Sequence, residues 1–155
     1  TSQWFINDAD NSSILDSGKY TVFGSVTGTG MTVVDAIAAM TTFNISGPLQ
    51  NSALTDVPLK NYTAFTQNLT GTVTASVGST SVTGTGTKFN TELVAGAPVQ
   101  IAGVSYIVAS ITSATQMTLT SNVTTAATAA TAKGNAAPTD AQYVKINSVT
   151  VINPV

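Results

Sequence analysis

Residues 20–40 read YTVFGSVTGTGMTVVDAIAAM and hold a short apolar strand, a glycine turn and the clearest helical pattern of the chain. The pattern predicts a helix over residues 31–40, because its larger apolar residues recur at helical spacing and form one face. These residues are Val33, Val34, Ile37 and Met40. Thr32 is the expected N-cap, and Asp35 follows three residues later as a variant of the capping box.

On either side of this segment the sequence is typical of β structure. Residues 2–7 (SQWFIN) predict a short buried strand, and residues 143–152 (YVKINSVTVI) predict an alternating one. Between them, residues 69–125 are rich in Thr, Val, Ser and Gly and favour a small barrel or sandwich. Its candidate strands are residues 71–77, 81–83, 98–101, 106–111 and 117–120. Residues 126–138 (AATAATAKGNAAP) are of low complexity and predict a linker or mobile loop.

The composition excludes several classes of function. Charged residues make up only 8% of the chain, which has five lysines and no arginine, histidine or cysteine. We therefore expect no nucleic-acid partner, since binding phosphates requires a basic surface. Histidine catalysis and thiolate chemistry are excluded, and no cofactor or metal is expected. No apolar run has the length of a membrane span. The formal net charge of −2 gives little repulsion between copies.

Several motifs together resemble the cyclophilin family of peptidyl-prolyl isomerases. They are SQWFIN at 2–7, YTVFG at 20–24, GMTVVDAI at 30–37 and KINSVTVI at 145–152. The resemblance implies a partial cyclophilin-like β-barrel made of residues 1–68 and 139–155, with residues 69–125 inserted as a separate β module. The fold class expected is thus mainly β with one clear helix. The two ends of such an insert should lie close together.

The resemblance also implies which residues line a proline-binding pocket. Gln3 and Phe5 match pocket positions on the first strand, Leu15 matches a leucine of the pocket wall, and Tyr20 stands where many relatives carry a histidine. Plain packing in the core is the alternative role for each of them, and for Phe5 and Leu15 the two roles are compatible.

The family's catalytic arginine has no counterpart in this sequence. In cyclophilins this arginine and an F-x-x-Q-G-G segment both precede the SQWFIN-like strand, and the arginine polarises the prolyl amide against a rotation barrier of ~18–20 kcal/mol. We therefore expect this chain to be a poor isomerase or none. Half of the family's barrel would also leave open sheet edges and an apolar face, to be covered by another copy or by an N-terminal chain.

The predicted insert has a resemblance of its own. Its motifs are VTGTGTKF at 82–89, L-x-x-G at 93–96 and I-x-G-x-x-Y-x-V at 101–108. They are similar to small β modules of phage structural proteins and of extracellular bacterial proteins. This similarity implies an adhesive or structural use.

Two weaker patterns carry less information. Asp8, Asp10 and Asp16 lack the spacing and the bidentate glutamate of an EF-hand, so solvated turn carboxylates are the preferred interpretation over a calcium site. The chain also contains Asn-x-Ser/Thr triplets, which arise readily by chance in a sequence this rich in Ser and Thr.

Three functions follow from these observations. The first is an extracellular or cell-surface structural subunit that self-assembles, through strand or edge pairing, into a filament or layer without isomerase activity. The second is the C-terminal part of an active cyclophilin-type isomerase, with the arginine on another chain. The third is a binding module that holds proline-containing peptides without turnover.

Overall fold

A computed structural model describes residues 6, 10, 12–15, 18 and 25–146 of the chain. The chain divides into two compact units, Thr1–Met40 and Thr41–Val155. The boundary falls inside the predicted first domain, 1–68, and the assignment of 1–68 with 139–155 to one domain stays a prediction. The described residues are mainly β with few helices, which confirms the predicted fold class. No helix in the described ranges is both long and apolar enough to cross a membrane.

The first unit contains helix α1 (Ser12–Leu15) and helix α2 (Gly30–Ala38). The helix predicted over residues 31–40 is confirmed, but Thr32 is not its cap. Thr29 occupies the N-cap position without a side-chain hydrogen bond. Thr32 lies inside the first turn, and its N–H donates a hydrogen bond to the Thr29 carbonyl at 3.1 Å. The helix begins earlier because the glycine turn continues directly into it.

The second unit begins with a small two-stranded sheet. Strands β1 (Thr42–Phe43) and β2 (Val57–Pro58) pair antiparallel, and helix α3 (Ser46–Leu49) lies between them in the chain. Leu59, directly after β2, forms an antiparallel bridge with Tyr143. The predicted strand at 143–152 thus begins beside β2, and residues 147–152 lie outside the described part of the chain.

The larger sheet has eight strands, five of which match the predicted ones closely. In chain order its elements are β3 (Gln67–Asn68), β4 (Thr72–Ala75), β5 (Ser81–Thr85), helix α4 (Phe89–Glu92), β6 (Pro98–Ile101), β7 (Val104–Ser113), β8 (Gln116–Leu119), β9 (Ala127–Ala130) and β10 (Lys133–Gly134). A short 3-10 helix, Asp140–Gln142, follows. Inward side chains alternate with outward ones, as in β5, where buried and exposed residues follow each other strictly.

The order of the strands closes this sheet into a barrel. The order is β3-β10-β6-β7-β8-β5-β4-β9, with every pair antiparallel. Residues 69–71 join β3 to β4, residues 131–132 join β9 to β10, and the Leu69 N–H donates to the Ala132 carbonyl between them at 2.9 Å. The segments β3–β4 and β9–β10 are therefore two kinked strands paired along their length, and they connect both ends of the order. Of the predicted alternatives, this connection favours the barrel, in which β3 and β9, each paired on one side, keep short free edges.

The predicted linker at 126–138 is wrong, because this segment supplies β9 and β10. Ala127 and Ala132 are buried, with 3% and 1% of their surface exposed. The small alanine side chains at these two positions face the interior, while neighbouring residues such as Thr128 and Thr131 are exposed.

The barrel interior is a single apolar cluster to which helix α4 contributes. Its larger fully buried members are Phe89, Ile101, Met117, Val73, Val82, Val99, Val108 and Val123. Gly71, which has a φ of +77°, allows the close approach of the kinked strand to β5, because a β-carbon there would collide with the Thr85 carbonyl.

The residues that flank the barrel in sequence meet at one end of it. Strand β3 pairs with β10, and the Tyr62 hydroxyl donates to the Ala136 carbonyl at 2.6 Å. The Lys60 N–H donates to the Gln142 carbonyl at 2.9 Å. The segments just before β3 and just after β10 therefore lie close together, and the insertion of residues 69–125 into another domain stays a prediction.

Candidate functional site

Three of the four predicted proline-pocket residues lie outside the described residues: Gln3, Phe5 and Tyr20. Leu15 is the last residue of α1, and its side chain also lies outside the description. The pocket therefore stays a prediction based on the sequence.

Of the three predicted turn carboxylates, Asp10 is described and makes a local contact. Its Oδ1 accepts a hydrogen bond from the Ser12 N–H at 3.1 Å, at the start of α1. Hydrogen bonds from the side chain and the backbone of Ser12 lower the pKa of the Asp10 carboxyl below its ordinary value. This is the behaviour of a turn carboxylate that caps a short helix. Within the described ranges, no group of carboxylates suited to hold a metal ion is found.

Helix α2 presents an apolar surface that is not buried. None of its nine residues is buried, and Val33 is 59% exposed. Met31, Val34 and Ile37 are only half-buried. In globular proteins the apolar stripe of such a helix normally faces a core, and an isolated helix of this length is marginal in water. The stripe of Met31, Val33, Val34 and Ile37 is called the α2 surface below.

A polar network fastens the segment between β1 and α3 to the barrel. Asn135, only 6% exposed, accepts from the Phe65 N–H at 2.8 Å and donates to the Asn44 carbonyl at 2.7 Å. The Asn44 amide donates to the Gly96 carbonyl at 2.9 Å, and its Oδ1 accepts from the Ser46 hydroxyl at 2.6 Å. Every buried side-chain polar atom among the described residues has a partner. These groups hold structure together and leave no reactive atom unpaired.

A small cleft opens beside this network, where α3, α4, β3 and the residues after β10 meet. Its volume is about 250 Å³. It is lined by Pro48, Gln67, Leu69, Thr91, Glu92, Asn135 and Ala137. The sequence alone offered no signal for this site, because its residues come from four separate stretches of the chain and match no motif.

Comparison with known proteins gives one result. Residues 1–63 match the family model described as "Cyclophilin type peptidyl-prolyl cis-trans isomerase/CLD". This stretch contains Gln3, Phe5, Leu15 and Tyr20, and it ends before β3, so the barrel lies outside the match. No curated protein and no solved structure matches the chain.

Proposed function

We propose that this chain is a structural subunit of an extracellular or cell-surface assembly, built from copies of itself, and that it has no isomerase activity alone. The observation that carries the proposal is the α2 surface. An apolar stripe on a helix without a single buried residue calls for a partner, since large exposed apolar patches mark interaction sites.

The charge of the chain supports association between copies. Five lysines and seven acidic residues are spread over 155 residues, so like-charge repulsion between two copies is weak. In the described barrel, β3 and β9 each pair with one strand only, β10 and β4, and these free edges are two and four residues long. Edges this short offer few unpaired backbone groups for strand addition. The α2 surface is therefore the contact that we favour over the strand pairing expected from the sequence.

The absence of arginine supports the proposal that this chain has no isomerase activity alone. The chain carries five lysines and no arginine, so it holds no guanidinium to polarise a prolyl amide. Within the described residues no histidine, thiol or cluster of carboxylates offers an alternative. A cyclophilin-like region can thus serve as a structural part without turnover.

The test measures the particle mass of the unmodified chain and of a variant with a charge on the α2 surface. Val33→Glu places a charge on the α2 surface, and Val77→Glu is the matched control, because Val77 is 63% exposed on the turn after β4. We expect the unmodified chain to form particles well above 15.7 kDa by light scattering and negative-stain imaging. Val33→Glu should dissociate them, and Val77→Glu should not. A monomer at every concentration would refute the proposal.

A second candidate is the C-terminal part of an active isomerase, which the match of residues 1–63 to an isomerase family favours. Its test is a prolyl-isomerisation assay of this chain with and without a chain that carries the family's arginine segment. Activity that appears only in the mixture, and disappears with Phe5→Ala, would establish it. A proline-containing peptide that binds without turnover would instead support the third candidate, a non-catalytic binding module.

A further inference from the structure

The cleft beside the polar network contains an anchored carboxylate. The Thr70 N–H donates to both carboxylate oxygens of Glu92, at 3.2 and 3.1 Å, and the Thr70 hydroxyl donates to Oε1. Glu92 is half-buried on α4. These bonds fix the orientation of the carboxylate before any ligand arrives, which lowers the entropic cost of binding.

The negative charge of Glu92 has no matching cation. In the part of the chain that the structure describes, the one ion pair joins Lys145 to Asp140, and no lysine lines the cleft. Thr70 offers neutral donors only, so the charge itself remains. A bound cation would gain a charge-assisted hydrogen bond here, which is stronger than a neutral one.

The other lining groups suit the rest of such a ligand. The Gln67 amide nitrogen donates to the Asn68 carbonyl at 3.0 Å, and its Oε1 has no hydrogen-bond partner within the described ranges. Pro48, Leu69 and Ala137 add apolar surface. A carboxylate, an amide oxygen and apolar side chains that line the same cleft match an ammonium group on an alkyl stem. The stem gains apolar burial, and the ammonium group offers three donors.

We propose that this cleft binds a primary alkylammonium group. Its volume of about 250 Å³ is below the range of ~300–1,000 Å³ typical of drug-sized ligands, so it suits one lysine side chain or a small free amine. A site with one anchored charge and little enclosure implies a dissociation constant on the order of millimolar.

The first test uses n-butylammonium chloride as the probe and follows the backbone amide signals of residues 67–70 and 91–93 by NMR. We expect saturable shifts in these signals at millimolar probe. At matched ionic strength, 1-butanol, butyrate and sodium chloride should not reproduce the shifts. The proposal fails if no shift saturates up to about 100 mM, or if 1-butanol produces the same shifts.

Two variants test whether binding depends on the charge of the Glu92 carboxylate and not on a change in the fold. Glu92→Gln keeps an acceptor for Thr70 but removes the charge, and it should weaken binding at least tenfold. Asp56→Asn is the control, since that exposed carboxylate accepts a hydrogen bond from the Thr55 hydroxyl and lies outside the lining of the cleft. Gln67→Lys keeps Glu92 and adds a tethered ammonium at the lip of the cleft, so it should abolish binding and raise the melting temperature. Unchanged affinity in both cleft variants would overturn the proposal.

A second ligand distinguishes a lysine side chain of a polypeptide from a small free amine as the occupant of the cleft. Nα-acetyl-lysine amide binding at least as tightly as n-butylammonium supports a polypeptide lysine as the occupant. Weaker binding than n-butylammonium supports a small free amine. Self-association through the α2 surface is measured independently by particle mass, so either proposal can fail without the other.

Discussion

Asn135 is the residue on which the attachment of the flanking segments to the barrel depends most directly. Its amide joins the Phe65 N–H to the Asn44 carbonyl, two backbone groups far apart in the chain. Phe65 itself has a φ of +56°, which is unfavourable for a bulky side chain. The hydrogen bond that the Phe65 N–H donates to the Asn135 Oδ1 satisfies this N–H in its unfavourable conformation.

We expect Asn135→Ala to lower the free energy of unfolding by about 2–3 kcal/mol, because the part-buried Phe65 N–H and Asn44 carbonyl both lose their partner. Urea unfolding followed by circular dichroism measures the change. Asn122→Ala, at an exposed loop position, is the control and should stay within about 0.5 kcal/mol of the unmodified chain. Equal effects of the two substitutions would contradict the assigned role.

The turn between β6 and β7 gives a second prediction at this scale. Ala102 and Gly103 have φ values of +49° and +81° and connect the paired residues Ile101 and Val104, as in a type I′ turn. Alanine is strained there, so Ala102→Asn should stabilise the fold by roughly 0.5–1 kcal/mol. Gly103→Ala should destabilise it by a similar amount, with both values taken from thermal unfolding. A destabilising Ala102→Asn would show that the turn differs from this description.

Among the elements, the kinked strands β3–β4 and β9–β10 decide the architecture. The first bends at residues 69–71 and the second at residues 131–132, and one hydrogen bond spans the bend. Strand β9 also contains a bulge at Ala129, whose φ is +47°. Bends and bulges of this kind supply the curvature that closes a small sheet into a barrel.

The close packing at the bend of β3–β4 can be tested by substituting two glycines, Gly71 at the bend and Gly78 away from it. Gly71→Ala adds a β-carbon that meets the Thr85 carbonyl, whereas Gly78→Ala, at a φ of +82°, adds one into open space. We expect Gly78→Ala to cost about 1 kcal/mol from backbone strain alone, and Gly71→Ala to cost clearly more, at least 2 kcal/mol. Denaturant midpoints measured at equal slope test this order. Similar midpoints would mean that the bend at Gly71 is not tightly packed.

The whole molecule combines a low charge with an exposed apolar helix. A sequence pI near 4.5 means that net charge vanishes as carboxylates become protonated below neutral pH. Repulsion between copies is then smallest, while the apolar contact is unchanged.

We therefore expect light scattering to rise as the pH falls from 7 and to peak near 4.5, then to decline as the lysine charges dominate. The Val33→Glu variant should scatter less at every pH above the peak. Scattering that increases towards alkaline pH would contradict association limited by charge.

Much of the local structure was predictable from residues alone. The helix near residues 31–40, the five strands β4 to β8 and several glycine turns follow from periodicity and from the turn preferences of glycine. The candidate cleft was not predictable, because Glu92, Gln67 and Asn135 are distant in sequence and each is an ordinary polar residue in isolation. Their proximity depends on strand pairings that local patterns do not encode.

The sequence by itself determined the mainly β character, the position of helix α2, and the lack of any arginine, histidine or cysteine for catalysis. Only the tertiary structure decided that the Ala-rich segment forms β9 and β10 and that the sheet closes. The physical reason lies in the range of the interactions. Alternation of apolar and polar residues is a property of neighbours, whereas the partner of each strand depends on which inward side chains fit together across the barrel.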